Sequence, residues 1–490
     1  MKSTDLIYLL PELILLLAAV VVFALDLIGP KKTSKAALPY VALAGLGLAL
    51  LGMIPSVGKT QAVTTMLVVD PFALFFKALA VFAVALVILT AIPYLRGRTP
   101  YPGEFYALLL ITGLAICLAV SAVNFIMIYL SMEFLSITSY VLAGYLRQDR
   151  KSGEAAVKYF LYGATASAIM LYGMSLLFGA TGTTGLAGIR LSLASKAPNE
   201  LVWLTVPALI LLLAGFGFKA SLVPFHQWAP DTYEGAPTPI TAFLSTASKA
   251  TGFAILMRVF IVALSVAQQQ WIALLLAVSV LTMTLGNLAA LRQTNVKRLL
   301  AYSSIAQAGY ILIGIVAVLA DPRRTFTGLN GVLIYLFAYL FTNIGAFSVV
   351  IAIEVFTGKV ELKDYAGLAR RAPGLAGLLT IFLLSLAGIP PTGGFMGKFF
   401  VFGAAVQSQM WILLAIAAVN SVVAAFYYLN IVRYMFFVPA EEGAERVQVA
   451  VPLQVALGVT ALLTLLLGIL PGPLIAWASE STRALLIALH

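Results

Sequence analysis

Charge is scarce in this 490-residue chain: 10% of its residues are Asp, Glu, Lys or Arg, against 62% that are apolar. A soluble domain carries about 25% charged residues, and so few cannot keep a chain this apolar in water. Cysteine is represented by Cys117 alone, inside an apolar run. No disulfide framework is possible within the chain, and neither a Cys-rich metal site nor an iron–sulfur cluster has its ligands. The two histidines are His226 and the C-terminal His490. No GxGxxG follows a strand-like segment, so the dinucleotide fingerprint is missing too. Electron-transfer cofactors have no obvious home here. If the protein serves a redox system, that chemistry sits in partner chains.

What the chain does have is Leu-, Ala-, Val- and Ile-rich runs near 20 residues long, recurring from end to end. Each is long enough to cross a hydrocarbon core of roughly 30 Å as a helix, and a helix satisfies its own backbone polar groups where lipid cannot. The fold expected is an all-α polytopic membrane protein. About 14 spans fall at 7–29, 37–55, 71–93, 104–121, 125–146, 154–179, 201–226, 240–263, 271–291, 299–320, 329–355, 374–405, 411–435 and 451–475. The first run is too long for a signal-peptide core and lacks a small-residue cleavage pattern, so it reads as a retained span.

The net charge of +11 is spread over many short loops and forms no patch, which argues against nucleic acid. The positive-inside rule accounts for it. With both termini outside, the inner loops hold most of the basic residues, among them Lys31, Lys32, Lys35, Arg96, Arg98, Arg147, Lys297, Arg298 and Arg371. The outer segments keep only Lys2, Lys59, Arg190, Lys196, Arg323, Arg324 and Arg483.

Two spans are interrupted. One carries Gly215, Gly217, Lys219 and Pro224, the other Gly388, Pro390, Pro391, Gly393, Gly394, Gly397 and Lys398. Proline removes a backbone donor and clashes with the preceding turn, so each cluster breaks its helix. The breaks lie five spans apart, and an odd spacing turns the second unit upside down. This is the pattern of inverted-repeat transporters. The expected organisation is an N-terminal three-helix segment (1–103), a first repeat of spans 4–8 (104–265), a second of spans 9–13 (266–440) and a C-terminal helix (441–490).

A charge at mid-bilayer costs at least ~2.5–3.5 kcal/mol on insertion scales, and such residues are functional by default. Glu133 lies near the middle of span 5, Lys219 at the break of span 7, Lys249 near the centre of span 8 and Lys398 just past the break of span 12. Snorkelling is the plain alternative for a membrane lysine. Lys249, however, is separated from either end by roughly 15 Å of helix. Lys158, four residues inside span 6, fits snorkelling or a proton path. Lys77 and Arg258 lie nearer span ends and are assigned to snorkelling or anchoring. His226 fits a proton relay, with an unperturbed pKa near 6.5, or a satisfied interface histidine.

Burial disfavours a charged lysine and a nearby carboxylate favours it. A swing of three pH units in proton affinity is worth about 4 kcal/mol, and moving one charge through roughly 200 mV costs about 4.6 kcal/mol. The match makes a Glu133–Lys219 switch a sufficient device for loading and releasing a proton, with Lys249 and Lys398 handing it on.

The stretch from Phe218 to Lys249, with Pro230-Asp-Thr-Tyr-Glu-Gly-Ala-Pro-Thr-Pro239, the stretch Asn295–Tyr310 and the span 12 motif resemble the antiporter-like membrane subunits of the proton-pumping type-1 NADH:quinone oxidoreductase, respiratory complex I. The resemblance covers nearly the whole chain. Three features are those of one branch of that family: the wording of 230–239, a lysine rather than a glutamate at 398, and an end soon after span 14 with no long lateral helix. The family's proton-path residues carry over onto Glu133, Lys158, Lys219, Lys249 and Lys398. The resemblance implies that NADH, FMN, iron–sulfur clusters and quinone are handled by partner subunits. It further implies neighbours among the antiporter-like and small membrane subunits, and a bacterial cell (inner) membrane rather than a plastid thylakoid. A multisubunit Na⁺/H⁺ antiporter shares the fold and the Glu–Lys pair. A membrane subunit of an energy-converting hydrogenase and a scaffold with idle charges are the other readings.

Overall fold

The computed structural model describes residues 3–28, 34–318, 325–440 and 446–487. Lys2, Lys31, Lys32, Arg323, Arg324 and His490 lie outside them. The described chain is a helical bundle. Its N-terminal part holds α1 (Leu10–Ile28), α2 (Ser34–Gly52), α3 (Pro71–Leu95) and α4 (Pro102–Ser121). Next come α5 (Phe125–Ala143), α6 (Arg150–Thr181), a short α7 (Leu186–Ala194) and α8 (Pro198–Ala220). Beyond the first interruption are α9 (Trp228–Gly235), α10 (Thr238–Phe243) and α11 (Lys249–Met257). The following run is α12 (Gln268–Ala290), α13 (Val296–Val316), α14 (Leu329–Thr357) and the single turn α15 (Leu368–Arg371). The chain closes with α16 (Pro373–Ala387), α17 (Gly393–Gln407), α18 (Trp411–Phe437), α19 (Val451–Ile469) and α20 (Gly472–Ile487).

Among the described residues, thirteen helical stretches are long and apolar enough to cross a membrane. The expected span at 374–405 is two helices, α16 and α17, with the Gly/Pro cluster between them. The expected span at 201–226 stops at Ala220. The C-terminal region, expected as one helix, holds two, because Pro471 and Gly472 interrupt the apolar run. The second, α20, packs on α3 and α14 through Trp477, whose ring lies 4.5 Å from Phe75. The 180–200 connection contains α7, which buries Leu186, Ile189 and Leu193. Residues 61–62 and 68–69 form a two-residue antiparallel ladder, Gln61 opposite Val69.

Helix starts follow local chemistry. Asp70, Asn124, Asp149 and Asn295 each accept a backbone N–H in the first turn of α3, α5, α6 and α13, satisfying donors that have no intrahelical partner. Gly182 and Gly358, at φ 69° and 70°, close α6 and α14. Every residue of α14 from Leu329 to Ile353 is buried, whereas α1, α6, α18 and α19 leave apolar faces such as Leu17, Leu161, Phe426 and Leu462 exposed. A helix hydrophobic all round belongs in a protein core or a membrane. Hence α14, α13 and the stretch Thr238–Ala263 form the inner layer of the bundle.

That stretch is not uniform. Leu244–Ser248 and Arg258–Ala263 are wound as π-helix. Such wide turns occur mostly at functional sites, and the first runs directly into Lys249.

Candidate functional site

Breaking a helix inside a bundle frees backbone groups that must find partners. At the first break Ser221 takes a left-handed conformation at φ 57°, and Leu222 N–H donates to Gly217 O at 2.7 Å. Val223 N–H donates to Thr282 Oγ1 on α12 at 3.0 Å. Trp228 Nε1, at the start of α9, donates to Phe218 O at 3.0 Å. The second break reuses these devices. Gly388 sits at φ 89°, Gly394 N–H donates to Ser385 Oγ at 3.0 Å, and Lys398 Nζ donates to Ala387 O at 2.8 Å. A cation there meets the negative end of α16. The φ of Gly388 is hostile to a side chain, and an added Cβ would lie 2.7 Å from Lys398 Cδ, so the lysine would have to shift.

The three central lysines are all buried. Lys219 Nζ lies 3.4 Å from Tyr159 Oη and over the Tyr159 and Phe218 rings at 5.7 and 5.8 Å. Lys249 Nζ donates to the carbonyl and hydroxyl of Ser304 at 2.6 and 2.5 Å. Lys398 Nζ stands 4.7 Å above the Tyr310 ring, a cation–π distance. Among the described residues none of the three is ion-paired. Glu133 is half-buried and accepts a hydrogen bond from Ser167 Oγ on α6, and it forms no direct ion pair with Lys219.

From Lys249 to Lys398 the polar contacts are nearly continuous. Ser303, next to Ser304, shares a 2.5 Å hydrogen bond with Tyr428. Gln307 Nε2 reaches Tyr428 Oη at 3.1 Å and Leu386 O at 2.9 Å, one residue from the carbonyl that Lys398 binds. Tyr335 donates to Gln307 Oε1. Sequence reasoning missed Ser303, Ser304, Gln307, Tyr335 and Tyr428. A hydropathy profile does not single out hydroxyls and amides, although the Asn295–Tyr310 motif contained three of them. Lys219 and Lys249 come together through their helices: α8 and α11 touch at Gly252, where a Cβ would lie 3.0 Å from Lys219 Cβ.

Lys158 is elsewhere. It lies at one end of the bundle, its side chain 38% exposed, and pairs with Glu154 and Asp231, each at 2.7 Å. Asp231 also binds Arg298 at 2.6 Å. Arg298 reaches Glu234, which pairs with Lys151, both at 3.3 Å. These six side chains line a cleft of about 220 Å³ and tie α9 to α6 and α13. Burial opposes ionisation of Asp231, but hydrogen bonds from Lys158 and Arg298, and their charges, outweigh it and hold its pKa below the ordinary 3.8. His226 is buried, and among the described residues its Nδ1 has no hydrogen-bond partner.

The snorkelling assignments of Lys77 and Arg258 are overturned. Lys77 is fully buried and pairs with Glu12 of α1 at 2.6 Å. Arg258 is 4% exposed and binds Asp70 through two nitrogens at 2.8 and 3.0 Å. Both cations point inward because a carboxylate far off in sequence waits there. Lys297, assigned to an inner loop, is also buried, and donates to Ala236 O at 2.8 Å. Among the described residues no group of three or more His, Cys, Asp or Glu could hold a metal ion.

Two broken helices and a file of buried lysines in a polytopic bundle define the antiporter-like class of membrane proteins. The family described as NADH:quinone oxidoreductase/Mrp antiporter matches residues 122–424, and the chain belongs to it. It is 42% identical to NADH-quinone oxidoreductase subunit N of Desulfitobacterium hafniense, over 99% of this chain and 100% of that one. A chain of respiratory complex I from Thermus thermophilus is 34% identical, with a TM-score of 0.78 over 95% of this chain and 98% of that one. A chain of the Mrp complex from Dietzia sp. shares the fold at 22% identity, with a TM-score of 0.85 and 100% of both chains covered. The relatives matched at about this identity over nearly their whole length include several subunits N. With its apolar spans and bacterial relatives, the chain is a multi-pass protein of the bacterial inner membrane.

Proposed function

We propose that this chain is a proton-translocating membrane subunit of an NADH:quinone oxidoreductase. Electron transfer from NADH through FMN and iron–sulfur clusters to quinone belongs to partner subunits. The observation that carries the reading is the file of buried lysines Lys219, Lys249 and Lys398, each at a helix break or π turn, with nearly continuous polar contacts through Ser304, Ser303, Tyr428 and Gln307 between the last two.

Glu133 and Lys219 form the loading switch. When Glu133 leaves Ser167 for Lys219 the ammonium is stabilised; when it returns, the proton is released toward Lys249. Lys158 lies on the route from one end of the bundle, Lys398 is the terminal carrier, and His226 is a relay beside the first break. The two Gly/Pro-rich breaks, five spans apart, support two inverted units, spans 4–8 and 9–13, within limits 104–265 and 266–440. Segments 1–103 and 441–490 flank them. The α16–α17 pair counts as one broken span, giving 14 in all with both termini outside.

Partners are the other antiporter-like and small membrane subunits. The alternative, a multisubunit Na⁺/H⁺ antiporter subunit, rests on the Mrp proteins within the matched family. A mild-detergent pull-down separates the two: partners that bind flavin and iron–sulfur clusters establish the oxidoreductase, and a redox-free set of small membrane proteins establishes the antiporter. Within the oxidoreductase, Lys219→Ala is expected to leave the complex assembled but poorly coupled. Protons moved per electron equal to wild type would sink the switch.

A further inference from the structure

Two clefts meet at Glu104, at the start of α4. One is an apolar groove of about 350 Å³ between α1 and α4, walled by Leu16, Val20, Phe23, Leu108 and Ile111. It runs from Glu104 to Ile111, roughly 10 Å along the helix. The other, about 570 Å³, opens at the end of the bundle, where Arg98, Tyr101, Tyr145 and Arg147 stand around Glu104. Arg98 is committed, bonded to Glu354 at 3.1 Å and stacked on Tyr94 at 4.0 Å. Arg147 and Glu104 are not: among the described residues neither forms an ion pair, with the other or with any third group. Tyrosines at the end of a span mark the membrane interface.

We infer that this composite cleft is a binding site for a phospholipid of the ethanolamine class. One acyl chain lies in the groove, the phosphate on Arg147 and the primary ammonium on Glu104. Charge complementarity selects the headgroup. A phosphoglycerol headgroup offers Glu104 no cation. A phosphocholine headgroup offers a cation with no N–H to donate, forfeiting the charge-assisted bond. The site is independent of the proton path, since none of its residues belongs to it.

The test is native mass spectrometry of the full chain in detergent, titrated separately with phosphatidylethanolamine, phosphatidylglycerol and phosphatidylcholine. Wild type is expected to hold one phosphatidylethanolamine about tenfold more tightly than the other two, the size of one charge-assisted hydrogen bond. Glu104→Gln removes that preference. Arg147→Ala weakens all three lipids alike, and so does Leu108→Trp, which fills the groove. Glu104→Lys reverses the preference toward phosphatidylglycerol, a gain that misfolding cannot imitate. Equal binding of the three lipids by wild type, or an ethanolamine preference that survives Glu104→Lys, overturns the assignment.

Discussion

Removing Asp70 should be among the most damaging single changes in this chain. Its carboxylate is 4% exposed and does two jobs. It caps α3 by accepting from Ala73 N at 2.7 Å, and it takes both terminal nitrogens of Arg258, one of which also donates to Val120 O at 3.0 Å. Asp70→Ala strands a buried guanidinium, at a cost of about 3–5 kcal/mol, and removes a cap worth about 1 kcal/mol. The expected loss is about 4–6 kcal/mol. Replacing both partners, as in Asp70→Asn with Arg258→Met, leaves no orphaned charge and should recover most of it. The assay is equilibrium unfolding of the purified chain in mixed micelles on rising SDS, followed by helical circular dichroism, for both single variants and the double. If Asp70→Ala lies within about 1 kcal/mol of wild type, or the double variant is no better than Asp70→Ala, the pair is solvated in the bilayer and the reasoning fails.

Asp231 gives a pH prediction. Its folded pKa is depressed, so its stabilisation is present above the unfolded value near 4 and is lost as pH falls through the folded value below it. The docking of α9 should therefore loosen below about pH 4, seen as a change in Trp228 emission in a variant keeping that tryptophan alone. Asp231→Asn should abolish the transition. Gly388→Ala forces a side chain into the left-handed region, at about 1–2 kcal/mol, and pushes Lys398 from its place. Complexes carrying it should assemble and oxidise NADH, yet move fewer protons per electron in a fluorescence-quench assay. Normal coupling there would deny Lys398 its role.

How much of this was legible depended on whether a residue announces itself alone. The Gly/Pro clusters around Pro224 and Pro390 did, because a break follows from local backbone chemistry. Lys249 did, because its distance from both ends of its helix excluded the interface. Lys77 and Arg258 did not. Their depth along a helix was readable, but their partners Glu12 and Asp70 lie on other helices, and only packing decides whether a long side chain turns inward. The Ser303–Tyr428–Gln307 contacts were hidden for the same reason: α13 and α18 meet only in three dimensions. Helix α9, with its PDTYEG wording, was visible as a motif, though its ties to Lys158 and Arg298 were not.

Those ties bear on how the protein is made. Eight residues are too few to hold a helix by themselves, and α9 is fastened on one side by α6 and on the other by Arg298 of α13. A chain that emerges from its N-terminus delivers Lys219 long before Arg298. The surroundings of the first lysine therefore stay unfinished until the second half of the chain has entered the membrane, and a product truncated before α13 has no way to complete them.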